Sequence, residues 1–327
     1  MSTRILEPGE IGQVEPFPNV VLPTDRGLFD QRARRFNQLA TNHAMGGFLQ
    51  AMSALAKAQH VALGAQAASP ITAVLLTQSR EHGMPPLSHQ AAIRDAGWQS
   101  DLDAIVNNLI EQNTAPWLAA AIALNAMSHD QRDALAEAVL LGADNADDPA
   151  LHALLAPVIG AALQVWWTRQ AGSINEADIG HVGTSTVCPI CASRPVASVV
   201  EIGANQSNLR YLHCSLCSTQ WHMVRVTCSS CESTKGIAYF NLNGNQEAET
   251  PSRKLAFARA EACDACHSYL KIFTREKEPL MEASADDLAT LALDMLVDEA
   301  GFLRSGPNLL FSPGVVVDDG SAPTGDS

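Results

Sequence analysis

The runs CPIC at 188–191, CSLC at 214–217, CSSC at 228–231 and CDAC at 263–266 hold all eight cysteines of the chain. Each is a Cys-x-x-Cys knuckle, whose tight turn puts both sulfurs on one side. Eight thiolates in four knuckles make two complete tetrahedral sulfur sites, as a structural zinc or a rubredoxin-type iron requires. The candidate ligands are Cys188, Cys191, Cys214 and Cys217 for site I, and Cys228, Cys231, Cys263 and Cys266 for site II. Each set would hold one ion, iron or zinc; both metals take tetrahedral thiolates, so spacing does not choose between them.

Two readings support this sequential grouping. Ser218 to Thr227 (STQWHMVRVT) is rich in β-branched and aromatic residues. As one strand it would span about 30 Å, too far for the second and third knuckles to share an ion. In addition, Cys228 follows Cys188 by 40 positions, and Asn205-Gln206 and Asn245-Gln246 each lie 14 positions after a knuckle. SVVEIG and LRYLH flank the first Asn-Gln, GIAYFNL and LAFARAEA the second. Each half reads knuckle, strand, turn, strand, knuckle, a duplicated metal ribbon at 188–217 and 228–266 within a metal region of 186–275. Polar residues from Gln246 to Lys254 lengthen the second hairpin.

Other cysteine chemistry fits less well. Disulfides belong to oxidising compartments, whereas the start MSTRILEPGEIGQ is polar and predicts no secretory leader. A dithiol redox centre needs one knuckle, not four. Cys263-Asp-Ala-Cys266-His267 matches a c-type haem attachment pattern, but using it so would leave the fourth knuckle's partner unpaired. His213, His222 and His267 flank cysteines; with the sulfur count complete they read as strand or rim residues.

A chain of 327 residues has room for about two domains. Its hydrophobic content of 46% and mean hydropathy of zero suit a globular protein with a sizeable core. No apolar run approaches the ~20 residues of a membrane span. The net charge of −14 is uneven: residues 186–275 carry nine Lys/Arg against six Asp/Glu, the rest 12 against 29. That balance argues against a nucleic-acid partner, which demands a basic face.

Residues 1–23 form a Pro-rich arm and 24–180 a helical domain. Thr24 is placed to cap a helix through FDQRARRFNQLATNH, with Phe29, Ala33, Phe36 and Ala40 at helical spacing, and Met45-Gly46-Gly47 breaks it. Further helices fit FLQAMSALAKAQHVALGAQ, SDLDAIVNNLIEQ, PWLAAAIALNAMS, DQRDALAEAVLLG and PALHALLAPVIGAALQVWWTRQ, with one short element between Pro70 and Pro86. Pro116 suits a first helical turn. Arg34-Arg35 reads as a solvated helix face, and Trp166-Trp167 as core residues, one of which can seal the helices against the metal region. Residues 284–303 read as one amphipathic helix capped by Ser284, and 312–327 as a disordered tail. The fold class is α+β: helices, then a duplicated rubredoxin-like β domain, then a helix.

RILEPGEI, the Leu22-Pro23 pair, FLQAMSALAKAQ, CPIC and LALDMLVDEAGFLRSGPNLLF together resemble the formate dehydrogenase accessory protein FdhE family, from about residue 4 to 311. The resemblance implies a cytoplasmic maturation factor that binds the catalytic subunit of a respiratory formate dehydrogenase before its export. It also implies rubredoxin-like knuckles able to hold iron. The residues themselves offer no catalytic constellation: no Walker loop, no GxGxxG, no nucleophile elbow. Sulfur-saturated metal sites present no open coordination position. The chain therefore reads as a non-enzyme. A one-electron redox protein, or a structural-zinc protein with another partner, are the alternatives.

Overall fold

In a computed structural model the described residues are 17–90, 96–142, 148–180, 182–202, 208–242 and 257–312. The Asn-Gln turns, the Gln246–Lys254 loop, most of the Pro-rich arm and nearly all of the tail lie outside them. The helical part comprises α1 (Leu28–Ala40), α2 (Gly46–Ala65), α3 (Ala73–His82), α4 (Gly97–Glu111), α5 (Trp117–Ala126), α6 (His129–Leu141) and α7 (Pro149–Ala171). Local signals explain several boundaries. Ser128 and Gln131 form a reciprocal capping box at α6, and Gly142 ends that helix in the left-handed region at φ 62°. Asp148 caps α7 through the N–H of Leu151, with Pro149 in its first turn.

α7 is apolar on all sides, which is the pattern of a helix buried on all sides. It packs against α2, α4, α5 and α6. By length and composition it would also suit a membrane span, which corrects the reading that no segment reaches that length; here it is mostly buried inside the protein. Several of its polar residues are bonded internally. Arg169 forks onto Asp101 at 2.6 and 2.8 Å, and Gln164 accepts from Arg32 and Gln59.

The strands are β1 (Val20–Val21), β2 (Pro195–Val200), β3 (Arg210–Cys214), β4 (Gln220–His222), β5 (Ile237–Phe240), β6 (Ala258–Cys263), β7 (Ser268–Thr274) and β8 (Leu303–Arg304). They form one sheet in the order β1-β4-β3-β2-β7-β6-β5, with β8 also on β7. β2-β3-β4 and β5-β6-β7 are the two copies of the ribbon. They join head to tail: β2, the first strand of one, pairs in parallel with β7, the last of the other, through Ser198↔Ile272, Val199↔Phe273 and Val200↔Thr274. β1 closes the edge at β4. α8 (Ala283–Leu288) and α9 (Leu291–Glu299) cover the sheet.

Four local expectations are corrected. α1 begins at Leu28, not at Thr24; Asp25 accepts from the Gly27 N–H at 2.7 Å and sets that turn. Gly46 and Gly47 lie inside α2, and the break is Thr41–Met45, with Asn42 at φ 56°. Gly46 is needed because a Cβ would come within 2.8 Å of the Ala40 carbonyl. The helix at 284–303 is two short helices and a strand, capped by Glu282 rather than Ser284. The Thr290 hydroxyl donates to the Asp286 and Asp287 carbonyls where the first helix ends, an interaction that bends helices.

The fourth correction concerns charge. Arg34 is solvated, but Arg35 is buried and forks onto the fully buried Asp286 at 2.6–3.2 Å. Arg32 pairs with Glu282 at 3.0 Å. These two arginines join α1 to the start of α8. Behind them, Lys271 and Arg304 meet Asp287 and Asp294, and Arg210 meets Glu261, all at low exposure. The helix–sheet junction is therefore charged and paired as well as apolar.

Candidate metal centres

All four knuckles have the same backbone construction. The residue after the second cysteine is left-handed each time: Ala192 at φ 63°, Ser218 at 59°, Glu232 at 61° and His267 at 52°. That residue's N–H returns to the first cysteine's carbonyl in three of them, at 2.9–3.0 Å (Ala192, Glu232, His267). Amides inside the turn point at the sulfurs, as Ile190 N–H does at Cys188 Sγ and Ser230 N–H at Cys228 Sγ (3.4 and 3.3 Å). The copies match in detail. Cys188 and Cys228 each donate to a serine carbonyl five positions on, Ser193 and Ser233, both at 2.8 Å. The Thr219 and Ser268 hydroxyls lie 3.1 and 2.9 Å from Cys217 and Cys266 Sγ.

Cys188, Cys191, Cys214 and Cys217 converge on one point, and Cys228, Cys231, Cys263 and Cys266 on another, with the sulfurs of each set within 4.8 Å of one another. Closest pairs are Cys191–Cys214 at 3.3 Å and Cys188–Cys217 at 3.5 Å in the first set, and 3.7 Å for both Cys228–Cys266 and Cys231–Cys263 in the second. A tetrahedral ion with metal–sulfur bonds of about 2.3 Å would set the sulfurs about 3.8 Å apart. Both donor sets fit such an ion. The grouping is sequential, as the 40-residue duplication implied, although the extended-strand argument for it fails. Only Gln220–His222 of that segment is strand, and Val226 at φ 58° turns the chain away.

Burial supports the fit at site I. Its four thiols are at most 4% exposed. Burial pushes the Cys188 and Cys214 thiols well up, while Cys191, burial notwithstanding, is held well down by hydrogen bonds from the other three sulfurs. Four buried thiolates demand a positive ion. At site II burial pushes Cys228 up to about 12; Cys266 is brought down to about 7, against its partial burial, by the Ser268 hydroxyl and N–H.

The flanking histidines stay outside both sulfur sets. Burial, with Arg275 and Arg32 nearby, pushes His213 down to about 3, so it is neutral. His222 lies between Phe17, whose ring is tilted to it, and Tyr211, which meets it edge-on, and His267 forms the turn after Cys266. Cys263 and Cys266, the haem-like pair, lie with Cys228 and Cys231.

Site I is also where helices and sheet meet. The Leu87 and His89 amides donate to the Ile190 and Cys191 carbonyls of the first knuckle, both at 2.9 Å. Trp167 Nε1 holds that same segment through the Leu87 carbonyl at 2.9 Å, with Trp166 against its edge. Gln164 donates to Ser215 O at 2.8 Å in the second knuckle.

Family comparison matches this chain to FdhE, N-terminal, over 17–184, to FdhE, central domain, over 187–225, and to FdhE, C-terminal domain, over 226–311. The chain belongs to the FdhE family. A Protein FdhE homolog of Pseudomonas aeruginosa is 40% identical over 315 residues, 96% of this chain and 99% of the relative. One from Klebsiella pneumoniae is 35% identical over 320 residues, with the same shares. The crystal structure of the FdhE protein from Pseudomonas aeruginosa aligns with a TM-score of 0.79 at 39% identity, covering 91% of this chain and all of that one. The α+β architecture, helices followed by a sheet with two four-cysteine clusters, is that of the family.

Sequence reasoning missed a cleft of about 670 Å³ between α1, β3, β4 and the 275–284 segment, lined by Arg32, Arg34, Arg35, Arg275 and His213. Each of its arginines is paired with a carboxylate: Glu282, Asp30, Asp286 and Glu201 respectively. The Arg32, Arg35 and Arg275 pairs tie segments of the fold together, whereas Arg34–Asp30 is a solvated pair along α1.

Proposed function

We propose that this chain is a non-catalytic accessory factor in formate dehydrogenase maturation, that it binds the enzyme's catalytic subunit in the cytoplasm before export, and that each four-cysteine cluster holds one iron or zinc ion. Membership of the FdhE family carries the reading of the client. The two converged sulfur sets support the ligation. A bound zinc would staple two knuckles together, and iron would add a one-electron couple. The chain's own residues supply four sulfurs per ion, amides aimed at those sulfurs, and left-handed turns that fix the knuckles. With every coordination position taken by sulfur, neither site would offer water or substrate an open position.

The contact surface proposed is the segment His222–Arg225 together with the Gln246–Lys254 loop. In the first, Val224 is 56% exposed and its neighbour Val226 52%, at a turn held by the Met223 N–H to Arg210 O bond. A rigid exposed turn loses little entropy on binding.

The test is capture of the catalytic subunit by the tagged chain, alongside formate dehydrogenase activity in cells lacking it. Capture, with activity lost in its absence, is expected. Full activity without the chain, or no capture, would overturn the maturation reading. Metal analysis of the purified protein tests ligation separately and distinguishes the one-electron alternative, which requires iron.

A further inference from the structure

The two sulfur clusters differ in what surrounds them. The site I thiols belong to the main apolar core, beside Ile190, Leu212, Leu216 and Trp221. The Leu87–His89 backbone and the α7 residues Gln164 and Thr168 are bonded to its knuckles. Removing an ion from it requires parting the sheet from the helices. Among the described residues, site II has no such cover. Cys231 is exposed and Cys266 half-buried, although Cys228 and Cys263 are buried. Among the described residues, none of its four cysteines belongs to an apolar cluster. The two open thiols are the second cysteine of each knuckle. Their site I counterparts, Cys191 and Cys217, are at 0% exposure.

We infer that site II is a labile metal site, at which the chain takes up and yields a divalent ion without unfolding, whereas site I is a locked one. The inference rests on the proposed ligation and is independent of the client. Exchange at site II begins at Cys231. A donor atom of a soluble chelator or thiol bonds to the ion as the Cys231 and then the Cys266 sulfur lets go. The released thiolates take protons from water, and no electrons move. Exchange at site I waits for a local opening of the core, whose free energy slows it.

The experiment uses the full chain loaded with zinc, an excess of the chromogenic chelator 4-(2-pyridylazo)resorcinol, and timed iodoacetamide labelling read by mass spectrometry. One equivalent should leave at least about tenfold faster than the other, since each step of core opening divides the rate. Cys231 and Cys266 should be alkylated with the fast phase, and Cys188, Cys191, Cys214 and Cys217 only with the slow one. Cys231→Ser should abolish the fast phase and leave the slow one unchanged; if that variant does not fold, the labelling order in the unaltered chain decides. Release of both equivalents in one phase, or labelling of site I first, overturns the inference. So does a chain that cannot be loaded at both clusters, a result that would also overturn the ligation while leaving capture of the catalytic subunit to stand or fall by itself.

Discussion

Gly160 lies in the middle of α7, where alanine is ordinarily the better residue by about 1 kcal/mol. Here the substitution should destabilise. A Cβ at 160 would land on the Leu309 carbonyl oxygen, with Leu309 C at 3.0 Å and Leu309 Cβ at 3.1 Å. Either the strap formed by residues 305–311 lifts or the helix moves. Lifting exposes Leu310, now fully buried, and breaks the Asn308 bonds to Ser284 O and Asp287 Oδ2 at 3.1 and 2.9 Å. Leu310 is worth about 1.5–3 kcal/mol, and each hydrogen bond about 1 kcal/mol. Set against the gain in helix propensity, the loss is about 2.5–4 kcal/mol. If the strap only shifts, overpacking costs about 1–3 kcal/mol, and the sign is the same. The assay is urea unfolding followed by circular dichroism, with Gly64→Ala as the control. Gly64 lies in α2 with nothing within 4 Å of its Cβ position, so alanine there should stabilise by up to about 1 kcal/mol. In a chain stopped after Arg304, Gly160→Ala should lose its penalty. Equal stabilisation by both alanines in the full chain would refute the close-approach argument.

Three other outcomes are expected. Ala192 and Glu232 carry side chains in left-handed turns, a strain of about 1–2 kcal/mol each. Glycine at either should raise the thermal midpoint, after about 0.4–1 kcal/mol of unfolded-state entropy is subtracted; a lowered midpoint in both would contradict the turn assignment. Asp286 is pushed up to about 6 by burial, against the lowering by Arg35. A carboxyl raised in the folded state binds its proton more tightly there, so its contribution is full below about 3.8 and declines as pH rises toward about 6. The stability difference between the unaltered chain and Asp286→Asn should therefore shrink over that interval in pH-dependent unfolding; a growing difference would contradict it. Finally, stripping metal with a strong chelator should lower the melting midpoint of the helix signal as well as that of the sheet, because the site I thiols sit in the helical core. A helix melt indifferent to metal would show two independent units.

The four knuckles were legible because cysteine spacing is a local property. A Cys-x-x-Cys turn brings its sulfurs together whatever the rest of the chain does, and the 40-residue repeat grouped the knuckles without any knowledge of the fold. Most helices were legible for the same reason, from apolar periodicity, whereas the caps Ser128 and Asp148 became visible only in the structure. The boundary at Thr24 was misread because Asp25, not Thr24, sets the turn before α1, and the single helix at 284–303 because part of what shapes it lies far away in sequence. Asp286 and Asp287 are drawn inward by Arg35, Lys271 and Arg304, cations up to about 250 positions away in sequence.

By itself, then, the sequence determined two sets of four sulfurs, a helical half and a duplicated ribbon. Only the tertiary structure decided how the copies join, β2 to β7 in parallel rather than as separate ribbons. It also decided that Arg35 is buried while its neighbour Arg34 is solvated, and that one of two nearly identical knuckle pairs is sealed while the other opens to water. The physical reason is that burial belongs to no single residue. Cys191 and Cys231 occupy equivalent turns with equivalent hydrogen bonds, and they differ because α7 and the 87–89 segment were laid across one of them and not the other.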